Sequence, residues 1–244
     1  MKKNKSSNFV IVDGRVTEGM VNTLEQFKIK VVKTPCCKEL YHAISYHPDI
    51  MIHPIDRKNV VIAPNVYSLL EDVFIQNGIN PIKGDTFLKS NYPDNIAYNV
   101  ARVSKFAIHN FKYTDKAILK LLEKNGIRFI HVKQGYSKCS TCIVNEHAII
   151  TADRGIAKEV VKYGIDVLLI SSGSIDLPGL EYGFIGGASG LIGKNKLFIT
   201  GQLNKHPDYN SILEFLKKNK VKPIFLNREK PIDLGSILFF DNGI

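Results

Sequence analysis

Four cysteines carry the most reactive side chains of the sequence: a vicinal pair, Cys36 and Cys37, and a Cys-x-x-Cys, Cys139 and Cys142. Four are too few for a disulfide scaffold. A zinc site drawn from both pairs would need adjacent cysteines to chelate together, and no histidine stands at finger spacing. A redox Cys-x-x-Cys opens a helix, whose dipole lowers the pKa of the first thiol, whereas Cys142 runs into the strand-like Ile143-Val144. Structural thiols, or one thiol facing a pocket, are therefore expected. His47, His53 and His206 are the candidate bases for such a thiol. The same histidines also read as structure, because His47-Pro48 and His206-Pro207 look like a turn and a helix start. Asp153 and Asp208 read as helix caps. Gly186-Gly187 would let backbone N–H groups approach an anion or simply form a tight turn, and no lysine follows at P-loop spacing. Neither a metal ion nor a cofactor is expected.

The chain that positions these residues has 244 residues, is 44% hydrophobic and carries a net charge of +10. That composition excludes a mainly disordered or collagen-like chain. The longest apolar runs, such as Val167-Leu168-Leu169-Ile170, are strand-sized, far short of the roughly 20 residues needed to cross a bilayer. Behind the basic start Met1 to Ser7 the apolar stretch is broken by Asp13 and Arg15, so no signal-peptide core is read and a cytoplasmic protein without membrane contact is expected. The charge raises RNA or the ribosome as a partner. Only six basic residues are arginine, and the lysines are scattered, so a solvated helix surface is favoured over a nucleic-acid site.

β-rich runs recur along the chain: Phe9 to Asp13, Val60 to Asn65, Phe106 to Asn110, Ile149 to Asp153 and Leu197 to Gln202. Each is followed by an amphipathic helix and then a second strand. Gly78, Gly126 and Gly164 stand where three of these helices must stop, and Lys28 and Lys220 hold the equivalent places in the other two. The spacing of the helix ends averages about 48 residues, a repeat length that dictates architecture. A third strand in each unit turns back into the next unit, with hairpin turns at Asp56 to Asn59, Asn145 to His147 and Gly193 to Asn195. The final strand, Ser236 to Asp241, has no successor, and pairing it with Phe9 to Val12 would remove two exposed edges. The expectation is a flexible N-terminus, 1–8, and one α/β domain, 9–244. That domain is a closed, five-bladed α/β-propeller of β-α-β-β units at about 9–58, 59–104, 105–146, 147–195 and 196–244.

In such a ring the loops before the third strands converge. They contain Asp49, Tyr92-Pro93-Asp94, Gly135 to Cys142, Gly183 to Gly190, and Asp233 to Ser236. This order of units, with its loop signatures and most specifically Gly183-Phe184-Ile185-Gly186-Gly187-Ala188-Ser189-Gly190, resembles the pentein fold of guanidine-group-modifying enzymes. It is most similar to an uncharacterised bacterial family of that fold. The resemblance implies a cysteine nucleophile before the final strand, a histidine before the fourth unit's third strand, and acidic residues holding a guanidinium. Asp94 fits the acidic position of the second unit. The cysteine position falls on Ser236 or Ile237 and the histidine position on Gly186 to Ser189, so the usual amidinohydrolase machinery is not evident. What remains is a pocket for a small polar, guanidino or amino-acid-derived ligand, bound by Asp49, Asp94, Gly186, Gly187, Ser189, Asp233 and Ser236. Cys139 and Cys142 are its candidate catalytic thiols. The alternative is a non-catalytic protein that binds RNA or the ribosome. The oligomeric state is left open.

Overall fold

The computed structural model describes residues 8–241, so most of the basic N-terminal segment lies outside the described residues. The chain runs β1 (Phe9–Val12), α1 (Glu18–Gln26), β2 (Lys30–Lys33), α2 (Pro48–Met51) and β3 (Ile52–Pro54). It continues as β4 (Asn59–Ile62), α3 (Tyr67–Gln76), β5 (Asn80–Lys83) and β6 (Ala101–Val103), then β7 (Phe106–His109), α4 (Lys116–Lys124), β8 (Arg128–His131), α5 (Ser137–Ser140) and β9 (Thr141–Asn145). It closes with β10 (Ala148–Thr151), α6 (Arg154–Val160), β11 (Asp166–Leu169) and β12 (Ser189–Ile192), followed by β13 (Lys196–Ile199), α7 (Tyr209–Lys218), β14 (Lys222–Phe225) and β15 (Leu238–Phe240).

These strands form five three-stranded sheets of one pattern: a central strand with a parallel partner on one side and an antiparallel partner on the other. The parallel partner follows through a helix, as β2 follows β1 in register Phe9 to Lys30. The antiparallel partner arrives from the preceding stretch of chain, as β3 does for β4 and β9 for β10. For the first sheet that partner is the end of the chain: β15 pairs with β1, setting Phe240 opposite Phe9 and Leu238 opposite Ile11.

The central strands are nearly continuous apolar runs, Phe9-Val10-Ile11-Val12 among them, because both of their faces are covered. Phe9 stacks on Phe240 at 4.9 Å, and Phe74 meets Phe240 edge-on at 5.3 Å, so the strand that ends the chain is fastened into the core. Helix starts follow local chemistry. Thr17, Asp115 and Asp153 cap α1, α4 and α6 by accepting backbone N–H groups. Asp208 precedes α7 without capping it through its side chain; its carboxylate instead accepts the N–H of Ser171 at 2.6 Å. Gly78, Gly126 and Gly164 end their helices in the left-handed conformation, and Lys28 (φ 60°) and Lys220 (φ 57°) take it at the two junctions without glycine. Among the described residues no helix is long and apolar enough to cross a membrane.

Candidate functional site

The loops that lead into β3, β9, β12 and β15 meet in one buried cluster. Asp49 comes from α2, whose Pro48 supplies the fixed φ of a helix start, and the Asp49 N–H is held by the Gly235 carbonyl at 3.1 Å. Its carboxylate is 1% exposed. The Cys139 thiol, from α5, lies 3.2 Å from each Asp49 oxygen, and the hydroxyl of Ser236 donates to Oδ2 at 2.5 Å. The Lys138 ammonium donates to that same hydroxyl at 2.8 Å. Ser236 holds a φ of 71°, a left-handed backbone unusual for a residue with a β-carbon, and such strain persists only where the surroundings dictate it. Here the Ser236 N–H is anchored on the Gly187 carbonyl at 2.7 Å.

Gly186 and Gly187 bring these loops together. A β-carbon on Gly186 would lie 2.4 Å from the carbonyl oxygen of Lys138 and 2.5 Å from those of Cys139 and Thr141. One on Gly187 would fall on the Asp233 carboxylate. The Asp233 carboxylate accepts the N–H groups of Gly235 (3.0 Å) and Phe184 (2.9 Å). His47 sits between acids, with Nδ1 3.9 Å from Asp233 and Nε2 3.9 Å from Asp13, and neither nitrogen is hydrogen-bonded. Asp13 is already neutralised by Arg15, whose fork binds it at 2.9 and 2.7 Å.

Burial governs the electrostatics. It pushes Asp233 up to about 7, with the neighbouring Asp49 adding to the shift. Asp49 is raised mainly by its own burial. Cys139 is raised well above the ordinary thiol range by burial and by Asp49, so it is a thiol that donates its hydrogen rather than a thiolate. His47 is pushed down to about 3 by burial and by Arg15, and its imidazole is neutral.

Of the residues singled out from the sequence, the structure brings Asp49, Cys139, Gly186, Gly187, Asp233 and Ser236 together. Asp94 lies elsewhere: its carboxylate is about half exposed and pairs with Lys89 at 3.4 Å, because its loop turns outward before the chain reaches β6. The second stretch contributes Asn99 instead. Asn99 Oδ1 accepts the N–H groups of Lys138 (2.8 Å) and Cys139 (3.2 Å), while Nδ2 donates to the Asp49 carbonyl and the Cys139 sulfur, both at 3.1 Å. One buried amide thus ties three loops. Its sequence signal is a polar residue inside the apolar run Ile96-Ala97-Tyr98-Asn99-Val100. Cys142 is buried in the core beside the cluster, and Ser189 at the cluster's edge, its hydroxyl 3.4 Å from the Gly186 carbonyl. The Ser189 hydroxyl donates to the Ile185 carbonyl at 2.8 Å, and Cys142 packs in the core with Val144, Ile150 and Ala188, its pKa pushed up to about 11 by burial. His206 stands at the start of α7, accepting the Asp208 N–H, whereas His53 is buried on β3 with Nε2 unpartnered.

A cavity of about 100 Å³ reaches Asp49 and Lys138 at one part of its wall and His53 and Arg102 at another. Pro54, Lys138 and Leu238 also border a space of about 230 Å³, and Pro54 and Arg102 one of about 300 Å³. Arg102, on β6, donates Nη1 to the Ile55 carbonyl at 3.1 Å, and its buried Nε has no partner.

Cys36 is the most accessible thiol, half-buried where Cys37, Cys139 and Cys142 are buried. An aromatic disulfide reagent is therefore expected to titrate one thiol rapidly in the native protein and all four in denaturant. Rapid reaction of a second thiol in the native state would show that the cluster opens.

Solved structures similar to this chain include amidinotransferases and a deiminase. An inosamine-phosphate amidinotransferase from Streptomyces griseus is 9% identical with a TM-score of 0.60, the match covering 96% of this chain and 94% of that one. The amidinotransferase SxtG of the saxitoxin pathway from Microseira wollei is 11% identical with a TM-score of 0.55, covering 90% and 88%. The C. jejuni agmatine deiminase with substrate bound is 11% identical with a TM-score of 0.54, covering 96% and 94%. The fold is that of the penteins. By sequence, residues 11–238 match DUF6873, a family of unknown function, and the chain belongs to that family. Comparison with curated proteins finds no match.

Proposed function

We propose that the protein is a closed five-unit pentein ring that binds a small guanidino or amino-acid-derived ligand at its axis, with Asp49 taking the cationic end and Arg102 an acidic one. Pairing of β15 with β1 supports closure, as do the adjacent pairs β6 and β9, β9 and β12, and β12 and β15. The observation that carries the ligand reading is a single cavity whose wall holds a buried carboxylate and a guanidinium that forms no ion pair among the described residues. Asp49 and Asp233 face one nearby cation, Lys138, so a positively charged ligand relieves the repulsion of the two acids.

The protein departs from its fold relatives in how it would do chemistry. Ser236 stands before the last strand and Gly186 to Ser189 lead into β12, where the resemblance asks for cysteine and histidine. Cys139 is a protonated thiol, and it would act as a nucleophile only by giving its proton to Asp49, the carboxylate it donates to; Cys142 faces core side chains. Titration of the wild type with arginine and with agmatine, which lacks the carboxylate, tests both halves. Both should bind; Asp49→Asn should lose both, and Arg102→Gln should lose the preference for arginine alone. Failure of the wild type to bind either would overturn the reading. If ammonia or urea is released, the release should stop in Cys139→Ala and persist in Cys142→Ala.

A further inference from the structure

We propose that His47, Asp49 and Cys139 form a binding site for one thiophilic divalent cation of the zinc type. Nothing in their spacing along the chain suggests it, since Cys139 is 90 positions from Asp49. Folding brings one nitrogen, one oxygen and one sulfur within 4.8 Å of one another. All three residues are at most 3% exposed. Imidazole, carboxylate and thiolate are the donor set that zinc selects, and three protein ligands leave a fourth tetrahedral position free.

His47 supplies an independent reason. Both of its ring nitrogens are buried with no hydrogen-bond partner, and a fully buried polar atom of this kind calls for an explanation. A metal would take the lone pair of the neutral ring. The other two ligands are close to the required geometry. Sulfur and oxygen bound to one tetrahedral zinc stand about 3.6 Å apart, given zinc bonds of ~2.3 Å to sulfur and ~2.1 Å to oxygen. Cys139 and Asp49 are 3.2 Å apart, and the thiol hydrogen between them is the proton a metal would displace to solvent. A thiolate and a carboxylate then balance the dication. The nearest ammonium, Lys138, is engaged with the Ser236 hydroxyl. This site goes beyond the guanidino-ligand reading but shares Asp49 with it, so the two occupants exclude each other.

Cobalt(II) reports directly on the sulfur. Titrated into the full chain after chelator treatment, it should give a thiolate-to-cobalt absorption band saturating at one equivalent and bleached by zinc. The band should disappear in Cys139→Ser, weaken at least tenfold in affinity in His47→Gln, and be unchanged in Cys36→Ser and Cys142→Ser. Circular dichroism of each variant establishes that it is folded. Zinc should also raise the wild-type Tm. Absence of the band in the wild type overturns the site, as does a band that survives in folded Cys139→Ser or vanishes with Cys36. With arginine binding measured on the same chelator-treated protein before metal is added, its failure would leave the cobalt result standing, and the reverse holds.

Discussion

Gly186→Ala should yield a chain that does not reach the native state. The added methyl would sit 2.4 to 2.5 Å from three consecutive-loop carbonyl oxygens, those of Lys138, Cys139 and Thr141, and all three are backbone atoms that cannot swing aside. Relief would require moving α5 and the start of β9, and with them the hydrogen bonds that Asn99 makes to Lys138 and Cys139. We expect a loss above about 4 kcal/mol, in the range reserved for overpacked or broken cores. Soluble yield and urea midpoint check it; a soluble variant with an unshifted midpoint would refute the packing described. Gly187→Ala should behave differently, because its β-carbon meets the Asp233 carboxylate, a side chain that can rotate away. That rotation surrenders the Asp233 bonds to Gly235 and Phe184, so Gly187→Ala should fold with lower stability and a disturbed site.

Asp49→Asn should abolish recognition of cationic ligands while making the fold more stable. The loss follows from removing a buried negative charge, and for a charge-assisted contact of about 3 kcal/mol it amounts to roughly two orders of magnitude in affinity. The gain follows from linkage. Burial raises the carboxyl above its ordinary value of 3.8, so its ionised form costs more in the folded chain than in the unfolded one, and that cost grows as the pH rises. Its contribution is intact below about pH 4 and is lost as the pH climbs toward the folded-state value. Asparagine keeps the shape without that loss. Its Oδ1 can accept from the Cys139 thiol, and its Nδ2 can donate to the Ser236 hydroxyl, which retains the Gly186 carbonyl at 3.0 Å as acceptor. The difference in Tm between variant and wild type should therefore widen from pH 4 to pH 8, and a difference that is constant or reversed would contradict the buried carboxyl. A gain of about 0.5–2 kcal/mol is usual when a site is relieved of its functional strain.

Much of the architecture is written locally. Continuous β-branched runs specify buried central strands, and glycine after an amphipathic helix specifies where it stops; both depend on neighbours within a few residues. The interval between these signals places all five second strands and the pairing of the last strand with the first. Lys28 and Lys220 show the limit of such rules. They adopt the left-handed conformation because the equivalent junction requires it, not because lysine favours it.

The site was readable as a set of converging loops, and Asp49, Cys139, Gly186, Gly187, Asp233 and Ser236 were legible from their polar or small character before each third strand. Asp94 carries the same polar-loop signal, which marks any exposed turn, and its charge is met by Lys89 in solvent, apart from the buried cluster. Asn99 was missed because its importance lies in four hydrogen bonds to partners about 40 to 50 positions away. Residue types and intervals alone determined the strands, the helix ends and four of the loops that meet. Which side chains touch was decided by tertiary packing, since hydrogen bonds and desolvation act over a few ångströms and have no period along the chain. His47 is the plainest case: in sequence it is a residue before a proline, and only folding buries its unpartnered ring between two acids.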